Sequence, residues 1–363
     1  MTTDAEQGCQ LRQRRREAGV KLSKVARLAQ RSESHLTNVE HGRRSATPEI
    51  LSAYERAIRE STDMRRRDIV TGLAGALLAP QATSEILRTG FTSRLGARPT
   101  GDDWEEQLDG LGRSYMADGA TVVQTQLAAD LAVLQHAQDS PQMWSITARS
   151  MAIYGKTTKG PSEAIEWYDL AAVAAHRSQD RDTEVWVAGR AALALGYEGA
   201  ATPSALRYAD KAITLAGATP SAGLLNALMG KAHALTTRGL TNEALDTWDH
   251  VLRVYDAISP DDQVTDFNYP YWRLCVVASL LHARLGDPEA EYWQAEVDKY
   301  RPANMVRFKT HVELHRGLML ARSGDYRGGV EYGEAALDAL PVDKRSQSLY
   351  LMLDEIKASK AGR

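Results

Sequence analysis

Apolar residues in the first sixty positions recur three and four places apart: Leu11, Val20, Leu22, Val25, Leu28, Leu36, Val39, Ile50, Leu51, Tyr54 and Ile58. That is the spacing of helices with one buried face. Gly19 and Gly42 interrupt the pattern and Pro48 reopens it. The spacing predicts short helices over 10–18, 22–29 and 33–41, the third N-capped by Ser32, and a later helix opening at Pro48. From about Asp102 the chain is alanine-rich and poor in Phe, with no sustained period-two alternation, so no strand can be placed. Breakers at Ser140-Pro141, Gly160-Pro161, Thr202-Pro203, Thr219-Pro220, Gly239, Ser259-Pro260, Gly286-Asp287-Pro288, Gly324-Asp325 and Pro341 cut this region into helices. Each is about fifteen to twenty residues long. The predicted fold class is all-α.

Within the long region a turn is repeatedly followed by a small residue and, four places later, by an aromatic or small one. Ala164 and Tyr168 follow Gly160-Pro161, Ala205 and Ala209 follow Pro203, Ala244 and Trp248 follow Gly239, and Gly329 and Gly333 follow Gly324-Asp325. The anchors Ala164, Ala205, Ala244 and Gly329 are spaced 41, 39 and 85 apart, the last step accommodating two more units with one near Ala290. Leu235 to Trp248, and Leu318 to Pro341, resemble tetratricopeptide repeats, with Ala232 and Gly317 as the small residues of the preceding helix. The period of about forty exceeds the 34 of the standard repeat. The expectation is a degenerate α-solenoid, a right-handed superhelix with a concave inner surface suited to a peptide or partner protein. An unrelated helical bundle is the alternative.

A helix ending near Ala29, a turn of about three residues and a helix capped by Ser32 have the dimensions of a helix-turn-helix, whose second helix enters the major groove. Val25-Ala26-Arg27-Leu28-Ala29, then Ser32, then Leu36-Thr37-Asn38-Val39-Glu40-His41-Gly42 and Arg43-Arg44 resemble the Xre/Cro/λ-repressor type. Ala26 stands where that family has a small residue at the helix crossing. Gln30 and Arg31 stand where it usually has Gly and an apolar residue, and Leu22 replaces a frequent DNA-contacting Gln. By position, the resemblance implies that Glu33, Ser34, Thr37 and Asn38 reach base edges, since they avoid the Leu36/Val39 face. Arg31, Ser32, Arg43 and Arg44 would contact phosphates, supplying affinity and salt dependence. Lys24 and the cluster Arg12, Arg14, Arg15 and Arg16 read as a solvated face, and Glu40 as a cap or bridge within the fold.

Charge sharpens this division. The 363 residues carry a net charge of −3, but Met1 to Arg67 hold 15 basic residues against 9 acidic, leaving 29 against 38 for the rest. The first region is therefore drawn to phosphates and the second is not. With 43% hydrophobic and 25% charged residues, the chain has ordinary globular composition. Two cysteines, Cys9 and Cys275, make no disulfide framework and no metal-ligand spacing, which points to a reduced, cytoplasmic setting. The N-terminus has no leader pattern. Arg65-Arg66-Arg67 before the apolar run Ile69 to Pro80 mimics a twin-arginine signal, but the run is too short to cross a bilayer of about 30 Å. A buried linker helix is the expected reading.

Candidate chemistry is sparse. His311 and His315 lie one helical turn apart, but Glu313 falls off their shared face, so the HExxH metal arrangement is absent. No phosphate loop, nucleophile elbow or dinucleotide fingerprint occurs. No catalytic residue, cofactor or metal is expected, and an enzyme is not. The best stock of ligand-facing residues is Trp186, Arg190, Tyr197, Asn226, His233, Tyr269, Tyr271, Trp272 and Arg273. From it Arg190, Tyr197, Asn226, His233 and Trp272 are taken as effector-binding candidates, although packing between helices explains most of them as well. Arg190 and Asn226 stand out because each sits on an otherwise apolar first helix of a pair, where it can bind a peptide backbone or carboxylate.

The expected organisation is a helix-turn-helix domain over 8–62, a linker with a short apolar helix over 63–100, and a tetratricopeptide-like repeat domain over 101–363. That combination resembles the peptide-sensing bacterial regulators of the RRNPP group. The resemblance implies a cytoplasmic homodimer binding double-stranded DNA, its repeat domain dimerising and sensing an effector, a signalling peptide or a small molecule. No membrane partner is expected. The alternative from another class is a protein-interaction adaptor.

Overall fold

The computed structural model describes residues 4–17, 20–58, 99–137 and 140–359. The apolar segment 69–80 and the linker helix expected within 63–100 lie outside them. The chain divides into two compact units, Met1–Ala79 and Pro80–Arg363. Both are helical, with no strand among the described residues.

The first unit contains α1 (Asp4–Glu17), α2 (Leu22–Ala29), α3 (Glu33–Glu40) and α4, helical over the described 48–58. Leu11, Val25, Leu36, Val39, Ile50 and Tyr54 form its core, the face that the apolar spacing marked. The first helix begins at Asp4 rather than near Gln10, because its opening turn, DAEQGC, carries no apolar rhythm to reveal it. Gly8 lies within that turn at the crossing with α3: a Cβ there would sit 2.1 Å from the Val39 carbonyl oxygen. Glu40 bridges within the fold as expected. Its buried carboxylate accepts bonds from Arg15 at 2.7 and 3.0 Å and from the Tyr54 hydroxyl at 2.8 Å. Burial pushes the Glu40 carboxyl up, but the bonds from Arg15 and Tyr54 outweigh it and hold the group below its ordinary value.

The second unit is a run of helical hairpins: α5 (Gly101–Asp118) with α6 (Ala120–Leu134), α7 (Pro141–Gly155) with α8 (Pro161–Arg177), and α9 (Arg181–Glu198) with α10 (Thr202–Ala216). Next come α11 (Ala222–Thr237) with α12 (Thr241–Ile258), α13 (Tyr271–Leu285) with α14 (Glu289–Tyr300), and α15 (Val306–Arg322) with α16 (Tyr326–Asp338). A 3-10 turn (Val342–Lys344) then leads to α17 (Gln347–Ala358). Of the expected breakers, Ser140 caps α7 with its side chain and Pro141, Pro161 and Pro203 occupy first turns. The breaks at Gly119, between α5 and α6, and at Asp180, which caps α9, were not marked in the sequence, nor was Gly199, which ends α9 in the left-handed region at φ 72°.

The first helix of each hairpin packs on the first helix of the next, from α5 through α17. This is the one-dimensional stacking of a solenoid. The small and aromatic anchors all lie buried on second helices: Ala164 and Tyr168 on α8, Ala205 and Ala209 on α10, Ala244 and Trp248 on α12, Ala290 on α14, Gly329 and Gly333 on α16. The wide step between Ala244 and Gly329 contains one hairpin, α13 with α14, preceded by an irregular loop over 259–270. The tightest crossing is α9 with α11. A Cβ on Gly189 would lie 2.0 Å from the Gly223 carbonyl oxygen, and one on Gly230 would lie 2.3 Å from the Ala192 carbonyl carbon.

One feature departs from an open concave array. Arg307, on α15, donates to the Tyr115 carbonyl on α5 at 2.7 Å, and Lys344 donates to the Ala117 carbonyl at 3.4 Å. Arg284, on α13, donates to the Tyr197 carbonyl at 2.8 Å and to both carboxylate oxygens of Glu355 on α17, at 2.8–3.1 Å. The last hairpin thus reaches back to the first, and the inner surface narrows to a partly open cavity within the array.

Candidate nucleic-acid interface and interior cavity

Between α2 and α3 the chain turns in two steps. Gln30 adopts the left-handed conformation (φ 52°, ψ 44°), and Arg31 N–H closes the end of α2 on the Ala26 carbonyl at 3.0 Å. The sequence departure from Gly at position 30 is thus accommodated by a side-chain-bearing residue in a region that glycine favours. Ser32 then caps α3, its hydroxyl accepting from His35 N–H at 3.2 Å. Gly42, at φ 67°, ends the segment, with its own N–H on the Val39 carbonyl and Arg43 N–H on the Asn38 carbonyl.

Leu36 and Val39 point into the core, which leaves the opposite face of α3 outward. Glu33 and Ser34 are exposed, Thr37 and Asn38 half-buried, and Arg31, Ser32, Arg43 and Arg44 exposed. Thr37 donates its hydroxyl proton to the Glu33 carbonyl at 2.9 Å, so its oxygen remains available as an acceptor. Arg44 rests against His35 Nδ1 at 3.1 Å. The structure therefore brings all eight expected DNA-contacting residues onto one short segment. Amide, hydroxyl and carboxylate groups of this kind can read base edges, and flanking guanidinium groups suit phosphates.

The interior cavity of the second unit, about 100 Å³, is walled by first helices from opposite ends of the array. Lys156, in the turn after α7, and Arg190, Arg273 and Arg307, on α9, α13 and α15, bring basic groups to it. Just behind the wall, the fully buried Asp266 accepts from Lys156 Nζ on both oxygens at 2.7 Å, from Arg190 at 2.7 and 3.2 Å, and from Arg273 at 3.0 Å. Burial alone would raise the Asp266 carboxyl, but Arg190, Lys156 and Arg273 together drive it far below the ordinary range. Burial and the neighbouring Arg190 push Lys156 well down. Glu198, also on the wall, is pushed by burial up to about 7.

Of the residues expected to bind an effector, Arg190 and Tyr197 line this cavity. Tyr197 places its hydroxyl 3.2 Å from both His311 Nδ1 and His315 Nε2. His311 also lines the cavity, and burial takes it down to about 3. His233 and Trp272 stand outside the lining: His233 packs edge-on against Tyr197 and Trp272 against Phe308. Asn226 is buried away from it, with neither amide atom partnered. Sequence reasoning missed Lys156, Glu198, Asp266 and Arg307. Lys156 stands in the polar turn that follows α7 and Arg307 in a helix rich in charged residues, so neither carries the signal, a cation in largely apolar surroundings, that marked Arg190.

Elsewhere, His282, Asp287 and Glu289 bring one donor atom each within 4.8 Å of one another, but Asp287 is occupied in accepting from the Glu289 N–H and contacting His282. No helix among the described residues is long and apolar enough to cross a membrane.

Residues 6–67 match the family model described as a helix-turn-helix domain. The first unit is thus a DNA-binding domain of the regulatory class, and the chain has the character of a DNA-binding regulator. No curated protein and no solved structure shows detectable similarity to the chain.

Proposed function

We propose that this protein is a sequence-specific transcriptional regulator that acts as a cytoplasmic homodimer, and that its helical-hairpin unit dimerises and senses an effector. The observation carrying the DNA-binding part is the outward polar face of α3, flanked by Arg31, Arg43 and Arg44, on a segment that matches the helix-turn-helix family. Glu33, Ser34, Thr37 and Asn38 are assigned to base edges, and Arg31, Ser32, Arg43 and Arg44 to phosphates. The effector part is supported by the partly open cavity, set with several charged groups, that Arg190 and Tyr197 help to line. The resemblance to peptide-sensing regulators favours a peptide, and the small volume of the cavity favours a small molecule.

The test is selection of DNA sites by the purified full chain, followed by titrations over a range of salt. The expected result is a defined site still bound at about 150 mM salt. Replacing Arg43 and Arg44 by Ala should weaken binding to all sequences and flatten the salt slope by about two, one per phosphate contact. Asn38→Ala should instead relax preference at a single base position, at a cost of about 1–3 kcal/mol of discrimination. An unselective protein whose binding ignores both changes, but which still captures a partner through the repeat unit, would be an adaptor.

A further inference from the structure

We propose that the interior cavity is the binding site of a small metabolite bearing two negative charges, carried as carboxylate or phosphate groups. This deepens the effector reading above and rests on it only for its regulatory meaning. Binding to the cavity stands or falls separately.

Protein interiors hold ionised groups in matched pairs, because an uncompensated buried charge is costly. Here Arg190, Arg273 and Arg307 line the cavity together with Lys156, whose charge burial and Arg190 disfavour, while Asp266 supplies the opposite sign. Asp266 is already shared among three of the cations. Glu198 makes no hydrogen bond to any of the four, and burial raises its carboxyl to about 7, so near neutral pH it carries only part of a negative charge. The wall therefore carries a surplus of positive charge that no further anion among its lining residues answers.

Geometry shows where an anion would sit. Arg307 is 3% exposed; one of its terminal nitrogens donates to the Tyr115 carbonyl, and its Nε is buried without a partner. Its guanidinium carbon lies 5.0 Å from the centre of the Tyr115 ring, and Lys156 Nζ lies 3.8 Å from the same centre. Two basic groups, one from α15 and one from the turn after α7, thus lie against one aromatic ring. The ring face compensates them in part, but a carboxylate or phosphate does so far better, through charge-assisted bonds. The Ser346 and Ser348 hydroxyls, 2.8 Å apart on the same lining, supply further polar groups.

Size limits the ligand. At about 10–15 Å³ per water-sized group, a cavity of about 100 Å³ holds roughly seven to ten non-hydrogen atoms. That accommodates a dicarboxylic acid of four carbons or a three-carbon phosphate ester.

The experiment is isothermal titration and thermal unfolding of the full chain, without DNA and at constant ionic strength. The probes are inorganic phosphate, glycerol 3-phosphate, succinate, glycerol as the uncharged control, and N-acetyl-trialanine amide as a peptide backbone. At least one of the anionic probes should bind with one site per chain and raise Tm, and glycerol should do neither. Comparing succinate with glycerol 3-phosphate decides which oxyanion is preferred. Arg307→Gln should weaken that binding about tenfold to a hundredfold, the range for hydrogen bonds to charged groups. Should that variant unfold, Glu198→Gln provides the independent reading: removing a residual negative charge from the wall should tighten anion binding or leave it unchanged. The proposal is overturned if no anion binds above the ionic-strength control, if Arg307→Gln folds and binds as tightly as the parent, if Glu198→Gln abolishes binding while folded, or if only the capped peptide binds. Because no DNA is present, failure here leaves the helix-turn-helix reading untouched, and loss of DNA selectivity leaves this result standing.

Discussion

Replacing Asp266 by Asn removes one formal charge and almost no volume, so the resulting loss isolates electrostatics. In the parent protein the carboxylate receives bonds from Lys156, Arg190 and Arg273 at 2.7–3.2 Å while fully buried. Adding about 1.5–3 kcal/mol for each such bond would overshoot, because the bonds share one acceptor group and Asn keeps one carbonyl oxygen. The better bound is the measured cost of orphaning a buried ionic partner, about 3–5 kcal/mol. For a unit of about 280 residues, the unfolding entropy is about 0.6 kcal/mol/K, so the Tm of that unit should fall by about 5–8 °C. Differential scanning calorimetry of the full chain, supported by urea midpoints with unchanged slope, measures this directly. The carboxyl is held below its ordinary value in the folded state, so its contribution is fully present above the unfolded pKa of about 3.9 and is lost only as pH falls through the lower folded value. A loss under about 1 kcal/mol at pH 7 would refute the assignment of Asp266 as the shared counter-ion.

Two further outcomes concern the first unit. Glu40 is held below the ordinary carboxyl range, so its support is complete above about pH 4.3 and fades as pH falls through the depressed value. Hydrogen exchange of α1 and α3, corrected for intrinsic rates, should therefore show opening under acid. Glu40→Gln should open both helices by about 1–3 kcal/mol already at pH 7. Gln30→Gly should slow exchange in α2 and α3 about two- to fivefold, since relief of left-handed strain, about 1–2 kcal/mol, exceeds the added backbone entropy of about 0.5–1 kcal/mol; faster exchange would contradict it.

The sequence made the helices legible where burial has a period and a terminus has a chemical cause. Ser32 and Gly42 bracket α3, Pro161 and Pro203 open helices, and Ala164, Ala205 and Ala244 mark crossings that only small residues permit. The start of α1 was hidden because its first turn is polar throughout. The exposed face of α3 was legible because local periodicity alone fixes which side chains avoid Leu36 and Val39. The cavity was not, for a physical reason: it is assembled from residues as far apart as Tyr115 and Arg307. Their proximity depends on how small rotations accumulate from hairpin to hairpin, and no local pattern records that sum. Arg190 and Tyr197 could be noticed as polar residues in apolar surroundings. Asp266, in the irregular loop before α13, resembled any loop aspartate.

Closure and charge surplus have a common consequence. A ligand shifts a conformational equilibrium only by as much as its affinities for the two states differ. The first and last hairpins meet through Arg307 and the Tyr115 carbonyl, so an opening of the array would have to break that contact. Lys156 follows the end of α7 near the start of the array and Arg307 comes from α15 near its end, and in this closed arrangement both lie against the Tyr115 ring. An anion touching both cations beside that ring would lose one of them on such an opening, so it would bind the closed form more tightly. With one charge-assisted bond at stake the difference is about 1.5–3 kcal/mol, within the usual range of allosteric coupling of about 1–3 kcal/mol. A neutral ligand of the same size would have no such preference, because the interactions that opening breaks are the ionic ones.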